Sequence, residues 1–198
     1  MKIRSVEFLG SVVDATAQIP SPDLPHVAFA GRSNVGKSSL INTLLRRTKR
    51  KVARISGTPG KTRKLNFYRV NDQFVLVDLP GFGFARVPDS VREGWKRLVE
   101  GFLARPDGPR AVVHLVDVRR EPMPDDLRML EYLAELGLPT LVAFTKVDKL
   151  SRSERSRKIP DLTRGLSLSE DQVIPFSSKT GEGRDLLAGA LLALIDEE

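Results

Sequence analysis

The chain contains no cysteine, which excludes disulfide bonds, thiolate metal sites and cysteine nucleophiles and fits a reducing compartment. It has no apolar run near the roughly 20 residues that cross a bilayer. Its first residues also lack the apolar stretch of about 7 to 15 residues that marks a signal peptide. Internal repeats and low-complexity segments are absent as well. We therefore expect a cytoplasmic protein that has no membrane partner.

Positive charge is in excess, with a net charge of +7 over 198 residues and a sequence pI near 9.9. Such a surplus can attract a polyanion such as RNA through phosphate neutralisation and counterion release. Many of the basic residues lie close together in the chain: Arg46, Arg47, Lys49, Arg50, Lys51, Arg54, Lys61, Arg63 and Lys64. A solvated loop is the competing interpretation, and composition alone leaves both open.

The length favours a single domain over residues 1–198, because a domain typically takes about 100 to 200 residues. Pro20, Pro22 and Pro25 indicate an extended segment ahead of the first regular element. Residues 1–24 are therefore expected to form an N-terminal extension.

Short apolar runs alternate with stretches of helical periodicity, which predicts an α/β fold. Six strands are predicted, at residues 26–30, 65–70, 73–78, 111–116, 140–144 and 173–176. Helices are predicted at residues 37–47, 88–104, 125–136, 152–166 and 183–195. We expect a mostly parallel six-stranded sheet with one antiparallel edge strand and helices on both faces. Ligands of such sheets bind beyond the carboxyl ends of the strands.

A phosphate-binding loop is predicted between the first of these strands and the first helix, where the pattern G-x-x-x-x-G-K-S occurs. Its residues are Gly31, Arg32, Ser33, Asn34, Val35, Gly36, Lys37 and Ser38. Glycines let successive N–H groups face the phosphates, and the helix adds its positive end. Lys37 should neutralise the β- and γ-phosphates, and Ser38 should place its hydroxyl on Mg²⁺.

A carboxylate ends the second strand of the hairpin, in the tetrapeptide Asp78, Leu79, Pro80 and Gly81. Asp78 suits a water-mediated magnesium ligand, and Gly81 lets its own N–H approach a γ-phosphate. Alone this tetrapeptide is a common turn. Its predicted place one strand away from the phosphate loop favours the functional interpretation.

Recognition of a guanine base is predicted for Thr145, Lys146, Val147 and Asp148, which follow a later strand. An aspartate can accept hydrogen bonds from the N1–H and 2-amino groups of guanine, and adenine offers neither donor. Lys146 would lie along the face of the base. Ser177, Ser178 and Lys179 follow the last strand, where their backbone N–H groups could point at guanine O6. Alone this tripeptide is an ordinary loop.

Two threonines in the loop from Ser56 to Lys64 could close over the γ-phosphate and magnesium. Thr62 is favoured because Gly60 gives the preceding backbone the freedom to fold inward. Thr58 remains the alternative.

These motifs, in this order, resemble the TrmE-Era-EngA-YihA-septin group of Ras-like P-loop GTPases. More narrowly, the chain resembles the EngB (YihA/YsxC) family of ribosome-biogenesis GTP-binding proteins, and the resemblance runs from about Phe8 to the last helix. The most specific matching segments are residues 28–39, 58–62, 65–67, 78–85 and 87–88. Phe82 and Phe84 depart from the pattern, because the family commonly carries tyrosine at these positions.

The resemblance implies a GTPase domain that acts in ribosome assembly and is needed for normal cell division and septation. It implies a switch that uses GTP and magnesium and engages a ribosomal subunit or its RNA. We expect a monomer without a DNA partner. The resemblance places magnesium on Ser38 and Thr62, which prefers Thr62 to Thr58, and catalytic roles on Lys37, Thr62 and Gly81. The implied nucleotide contacts are Gly31 to Ser38, Gly60, Lys61, Thr62, Arg63, Lys64, Asp78, Leu79, Pro80, Gly81, Thr145, Lys146, Val147, Asp148, Phe176, Ser177 and Ser178.

Two residues bear on the rate of hydrolysis. Phe82 stands where a water-orienting glutamine would follow the tetrapeptide, so turnover should be slow, or absent if the protein is a scaffold that binds GTP and RNA. Asn34 lies where potassium-activated relatives carry an asparagine, so it could help to hold K⁺. It could equally serve only a tight turn. A P-loop kinase or ATPase is a third reading, which Asp148 opposes.

Other chemically capable side chains receive no role from the sequence. His26 and His114 are predicted to be structural, and Trp95 is predicted to pack in the core or against a helix. The spacing selects neither Glu93 nor Asp117 as a site residue.

Overall fold

The computed structural model describes residues 1–46, 64–83 and 89–196 of the chain. The strands in this part are β1 (Val6–Val12), β2 (His26–Gly31), β3 (Leu65–Val70), β4 (Phe74–Asp78), β5 (Ala111–Asp117), β6 (Thr140–Thr145) and β7 (Val173–Phe176). The α-helices are α1 (Lys37–Leu44), α2 (Asp89–Leu103), α3 (Pro124–Glu135), α4 (Arg152–Gly165) and α5 (Arg184–Asp196). Short 3₁₀ turns lie at Val147–Lys149 and Glu170–Gln172.

One sheet holds these seven strands in the order β1-β3-β4-β2-β5-β6-β7. Strand β2 pairs in parallel with β4 and β5, and β6 pairs in parallel with β5 and β7. Strand β3 runs antiparallel to β4, and β1 runs antiparallel to β3. The mostly parallel α/β sheet predicted from the sequence is therefore confirmed.

The sheet has one strand more than the six expected, because residues within the predicted N-terminal extension form β1 along β3. This strand is hard to recognise in the sequence, since it lies at the edge of the sheet and carries a β-bulge between Phe8 and Gly10. The bulge shifts the alternation of side chains by one residue. The aromatic ring of Phe8 is also half exposed, although it packs against Tyr68.

Apolar side chains of the central strands alternate between two cores. Val27 and Phe29 of β2 face the layer of α1 and α5, whereas Ala28 and Ala30 face the layer of α2 and α3. All six residues of β2 and all seven of β5 are buried. Strands covered on both faces are expected to be apolar throughout, which explains why these runs were readable in the sequence.

The carboxyl ends of the parallel strands meet at one edge of the sheet, as the pairs Gly31–Leu115, Asp117–Thr145 and Thr145–Phe176 show. Every motif singled out above that lies in the described residues begins at this edge. In the same part of the chain, no helix is both long enough and apolar enough to cross a membrane.

Candidate functional site

The predicted phosphate loop connects β2 to α1 through a tight turn. Asn34 has a φ of 65° and Gly36 a φ of 109°, both in the left-handed region, where glycine and asparagine cost least. A Cβ atom on Gly31 would lie 3.0 Å from Val35 Cγ1 and 3.1 Å from the backbone oxygen of Leu115. No side chain of the described residues caps the start of α1. Its first backbone N–H groups therefore suit an anion.

Lys37 and Asp78, which the sequence assigned to the phosphates and to magnesium, lie side by side. The Lys37 ammonium donates to the Asp78 carboxylate, and their side chains are only 11% and 10% exposed. A charge at this depth needs a partner of opposite sign. A phosphate group entering the loop would compete with Asp78 for the ammonium.

The segment after Asp78 is held against the phosphate loop by backbone contacts. The Ser33 N–H donates to the carbonyl oxygen of Phe82 over 2.9 Å, and the Phe82 N–H donates to the Gly31 oxygen over 3.4 Å. A Cβ atom on Gly81 would lie 2.9 Å from Ser33 Oγ and 3.2 Å from Ser33 Cα. Only glycine therefore fits at position 81 without displacing the loop.

Phe82 is buried and contacts two rings. Its centroid lies 5.4 Å from that of Trp95 and 5.9 Å from that of His114, with which it stacks at an interplanar angle of 19°. The Trp95 indole also donates to the carbonyl oxygen of Pro80 over 3.0 Å. Trp95 thus packs against the core, as expected. It also holds the segment after Asp78 through Pro80, which the sequence did not indicate.

The two histidines, which the sequence predicted to be structural, lie in the interior. His114 is fully buried, and its Nε2 lies 3.2 Å from an Asp126 carboxylate oxygen. His26 Nε2 lies 3.0 Å from the Pro20 oxygen, and burial lowers the pKa of the His26 ring.

The predicted base-recognition segment reaches the phosphate loop through its first two residues. Thr145 Oγ1 lies 2.7 Å from the Val35 oxygen, to which it can donate. Lys146 adopts a φ of 64°, and its ammonium donates to the Asn34 oxygen over 2.7 Å. The stem of Lys146 passes over Gly36, since a Cβ atom there would lie 3.8 Å from Lys146 Cε.

Asp148 and Ser177 are joined directly. The buried Ser177 hydroxyl donates to the Asp148 carboxylate over 2.7 Å, and the backbone N–H groups of Lys179 and Thr180 each donate to that hydroxyl over 3.2 Å. The structure thus brings the two loops predicted to hold a base into contact. One Asp148 oxygen is committed to Ser177, which fixes the orientation of the carboxylate.

Asp117 is a member of this constellation that the sequence spacing did not select. Its carboxylate is 6% exposed and accepts from Lys146 Nζ at 2.8 Å and from the Arg119 guanidinium at 2.9 and 2.7 Å. Burial alone would raise the pKa of the Asp117 carboxyl, but the hydrogen bonds from Arg119 and Lys146 hold that pKa well below its usual range. The available signal was its position at the carboxyl end of β5, beside the ends of β2 and β6.

We predict that Asp117→Asn lowers the free energy of unfolding at pH 7 by about 1 to 3 kcal/mol, because an amide N–H₂ would then face a donor of Arg119 or Lys146. The depressed pKa of the folded carboxyl means that its stabilisation is present above the unfolded value of about 3.9 and is lost as the pH falls through the folded value. The gap between parent and variant should therefore narrow below pH 4. Urea unfolding at pH 7 and pH 3 measures both effects.

Asp161→Asn is the matched control for this prediction. Asp161 pairs with Arg164 on the surface, where both side chains are more than half exposed. Exposed pairs contribute about 0 to 1 kcal/mol, so this variant should stay close to the parent at both pH values. Equal losses in the two variants would contradict a special role for Asp117.

Some predicted site residues lie outside the described part of the chain. They are Thr58, Gly60, Lys61, Thr62 and Arg63, together with Phe84 and the basic residues from Arg47 to Arg54. Lys64 is described and is exposed directly before β3.

Comparison with known proteins shows similarity to GTP-binding proteins along nearly the whole chain. Residues 26–146 match the family model described as 50S ribosome-binding GTPase. A protein described as probable GTP-binding protein EngB from Gemmatimonas aurantiaca is 48% identical over 195 residues, which cover 98% of this chain and 95% of that protein. Its counterpart of the same description from Halothermothrix orenii is 46% identical, covering 99% of this chain and 98% of that protein.

Solved structures agree with this result. The crystal structure of a probable GTP-binding protein engB superposes with a TM-score of 0.71 at 31% identity, covering 87% of this chain and all of that chain. Era in complex with MgGDPNP and a 16S ribosomal RNA fragment gives a TM-score of 0.69 at 23% identity, covering 88% of this chain and 58% of that chain. The second similarity is one of fold.

Proposed function

Because this chain belongs to the EngB family of P-loop GTPases, which hydrolyse GTP, we propose that it is a slow, magnesium-dependent GTP switch in the assembly of ribosomal subunits. The observation that carries this proposal is the convergence of Lys37, Asp78 and Gly81 on the start of α1, with Lys146 and Asp148 beside it. Family membership also decides against a non-hydrolysing scaffold and against a P-loop kinase or ATPase.

We assign the phosphates to the loop from Gly31 to Ser38. Backbone N–H groups of the turn and of the first turn of α1 would donate to the β-phosphate, and Lys37 would exchange its ion pair with Asp78 for the phosphate oxygens. Gly81 would donate its N–H to the γ-phosphate from the position that it already occupies against Ser33. Catalysis in this class depends on positioning and charge stabilisation, so Lys37 and Gly81 are our catalytic assignments in the described residues.

We assign guanine to the pocket formed by Asp148 and the loop after β7. The Asp148 oxygen that does not accept from Ser177 would accept from the N1–H and 2-amino edge of the base. Lys146, held by Asn34 and Asp117, would cover one face of the base with its aliphatic stem. Backbone N–H groups of Ser177 and Ser178 would donate to O6.

The residues at the phosphate loop fit a magnesium ion. Ser38 offers a hydroxyl in the first turn of α1, and Asp78 offers a carboxylate that could act through water. No cluster of three or more acidic or histidine side chains in the described residues could hold a metal ion without the nucleotide. The Ser38 hydroxyl and the Asp78 carboxylate suit an ion that keeps waters and phosphate oxygens among its ligands. Magnesium would neutralise charge on the β- and γ-phosphates, and Thr62 is our proposal for its second protein ligand.

We propose that the partner is a ribosomal subunit or its RNA, that the protein works as a cytoplasmic monomer and that cell division and septation depend on it. The net charge of +7 and the bound 16S RNA fragment in the Era complex support an RNA partner. Sedimentation with separated subunits, in GDP and in a non-hydrolysable GTP analogue, tests the switch. Binding to one subunit that depends on the nucleotide is the expected result, and equal binding with either nucleotide would contradict it.

We predict that RNA engagement runs through the basic run from Arg46 to Arg54 together with Lys61, Arg63 and Lys64. Of these residues, only Arg46 and Lys64 lie in the described part of the chain. Reversing the charges at Arg46, Arg50 and Lys51 should weaken binding to the ribosomal subunit by roughly tenfold or more and flatten its salt dependence, because each lost phosphate contact lowers the salt slope by about one. Sedimentation at several salt concentrations measures both quantities.

The matched control for this variant reverses three exposed charges on α4, at Arg152, Arg157 and Arg164. It changes the net charge equally but leaves the basic run intact, so its affinity should stay nearer that of the parent. Equal losses in the two triple variants would mean that net charge alone governs binding. Unchanged affinity in the first variant, with GTP binding intact, would leave the basic run as a solvated loop.

A further inference from the structure

Trp95 makes an unexpected contact with the segment that follows Asp78, because its indole N–H donates to the carbonyl oxygen of Pro80 over 3.0 Å. That carbonyl belongs to the same peptide unit as the N–H of Gly81. No cis peptide bond occurs in the described residues, and in a trans peptide the C=O and N–H bonds point in opposite directions. Fixing the Pro80 oxygen toward Trp95 therefore fixes the Gly81 N–H away from it.

Gly81, the residue after Pro80, lies against the phosphate loop. A Cβ atom there would come within 2.9 Å of Ser33 Oγ and 3.3 Å of the Ser33 backbone nitrogen. The Ser33 N–H in turn donates to the Phe82 oxygen. The peptide that carries the Gly81 N–H is thus held between the indole of α2 and the loop that would bind the phosphates.

Packing of the Trp95 ring also holds the indole in place against Pro80. The ring centroid lies 5.4 Å from that of the Phe82 ring, which also stacks on the buried His114 ring. The position of the indole N–H is therefore fixed by the packing of its ring as well as by its hydrogen bond to Pro80. A hydrogen bond to the carbonyl oxygen of a peptide also polarises that peptide, and its N–H group then becomes a stronger donor.

We propose that Trp95 is a positioning residue for the GTP state: its indole N–H orients and polarises the Pro80–Gly81 peptide so that the Gly81 N–H can donate to a γ-phosphate. This inference rests on the nucleotide assignment made above. GDP has no γ-phosphate, so the contact should favour GTP over GDP and leave GDP binding almost unaffected. It couples α2 to the presence of the third phosphate.

The test replaces the indole donor while keeping an aromatic ring against Phe82. In Trp95→Phe we expect the dissociation constant for a non-hydrolysable GTP analogue to rise about three- to tenfold, the range that corresponds to one hydrogen bond, with the value for GDP nearly unchanged. The kcat for GTP should fall as well, because the Gly81 N–H would also stabilise the γ-phosphate during its transfer. Titration of both nucleotides into the full chain and steady-state turnover supply these values.

Tyr132→Phe is the matched control. Tyr132 also donates to a backbone oxygen of α2, that of Glu100, over 3.2 Å, but this bond involves neither the phosphate loop nor the Pro80–Gly81 peptide. Loss of this bond should change the affinities for the two nucleotides equally or not at all. A ratio of affinities that shifts as much in Tyr132→Phe as in Trp95→Phe would overturn the proposal.

The chain contains a single tryptophan, so biosynthetic replacement of tryptophan changes only this position. The benzothiophene analogue keeps the ring shape but has sulfur in place of the N–H group, and it should reproduce the selective loss for the GTP analogue. An unchanged GTP-to-GDP preference in this protein would refute the role of the indole donor. Failure of the parent to bind either nucleotide would instead refute the nucleotide assignment itself.

Discussion

Asp148→Asn should weaken binding of GTP by about 10³- to 10⁴-fold and shift the preference toward xanthosine nucleotides, because a site built around one hydrogen-bond pattern rejects a base that leaves its groups unpaired. Guanine presents donors at N1 and at its 2-amino group, which need a carboxylate acceptor. Xanthine carries an oxygen at position 2, which needs a donor such as the asparagine amide. Competition between GTP and xanthosine triphosphate for the parent and the variant measures the exchange of specificity.

The hydrogen bond from Ser177 makes this prediction sharper. The Ser177 hydroxyl occupies one Asp148 oxygen at 2.7 Å, so the asparagine carbonyl can take over that bond and leave its N–H₂ group toward the base. Ser177→Ala would remove the orienting bond, so it should weaken GTP without creating a preference for xanthosine nucleotides. An Asp148→Asn variant that binds GTP like the parent and ignores xanthosine triphosphate would show that the base pocket is assigned wrongly.

The sequence predicted where the motifs lie, at the ends of the strands, because the pattern of each motif is local. A glycine-rich turn between a buried strand and a helix leaves the first backbone N–H groups of that helix without partners, so Gly36 and Lys37 can be interpreted from a few neighbouring residues. The central strands were equally readable, since burial on both faces makes them apolar throughout. Strand β1 was not predicted because a bulge and partly exposed side chains interrupt the alternation of buried and exposed residues.

The contacts of Asp117 and Trp95 were not predicted for a different reason, since each residue has a partner that only the fold brings close. Asp117 meets Lys146 across 29 positions of the chain, and Trp95 meets Pro80 across 15. The sequence showed an aspartate at a strand end and an aromatic residue on a helix, both of which are common. What distinguishes them is a buried carboxylate shared by two cations and an indole donor aimed at one peptide. Neither property has a spacing that a pattern could detect.

Hydrolysis by the isolated protein should be slow, about 10⁻³ s⁻¹ or less, the scale of switch GTPases without their activators. Phe82 follows the Asp78–Gly81 tetrapeptide, has no polar side-chain atom, is 6% exposed and contacts the rings of Trp95 and His114. It therefore cannot orient an attacking water in this arrangement. Fast turnover by the isolated chain would contradict this reasoning.

A cation beside the β–γ bridging oxygen could supply the missing stabilisation, so we expect potassium to raise turnover roughly ten- to a hundredfold over sodium through the Asn34 side-chain oxygen. Asn34 has a φ of 65°, so its residue type could also serve the turn alone. Asn34→Gly separates the two roles, because glycine accepts this backbone angle and the Asn34 carbonyl that receives Lys146 Nζ is retained. The variant should bind GDP like the parent but hydrolyse GTP at one rate in both salts. Equal rates for the parent in potassium and sodium would leave Asn34 as a turn residue, and a variant still accelerated by potassium would place the ion elsewhere.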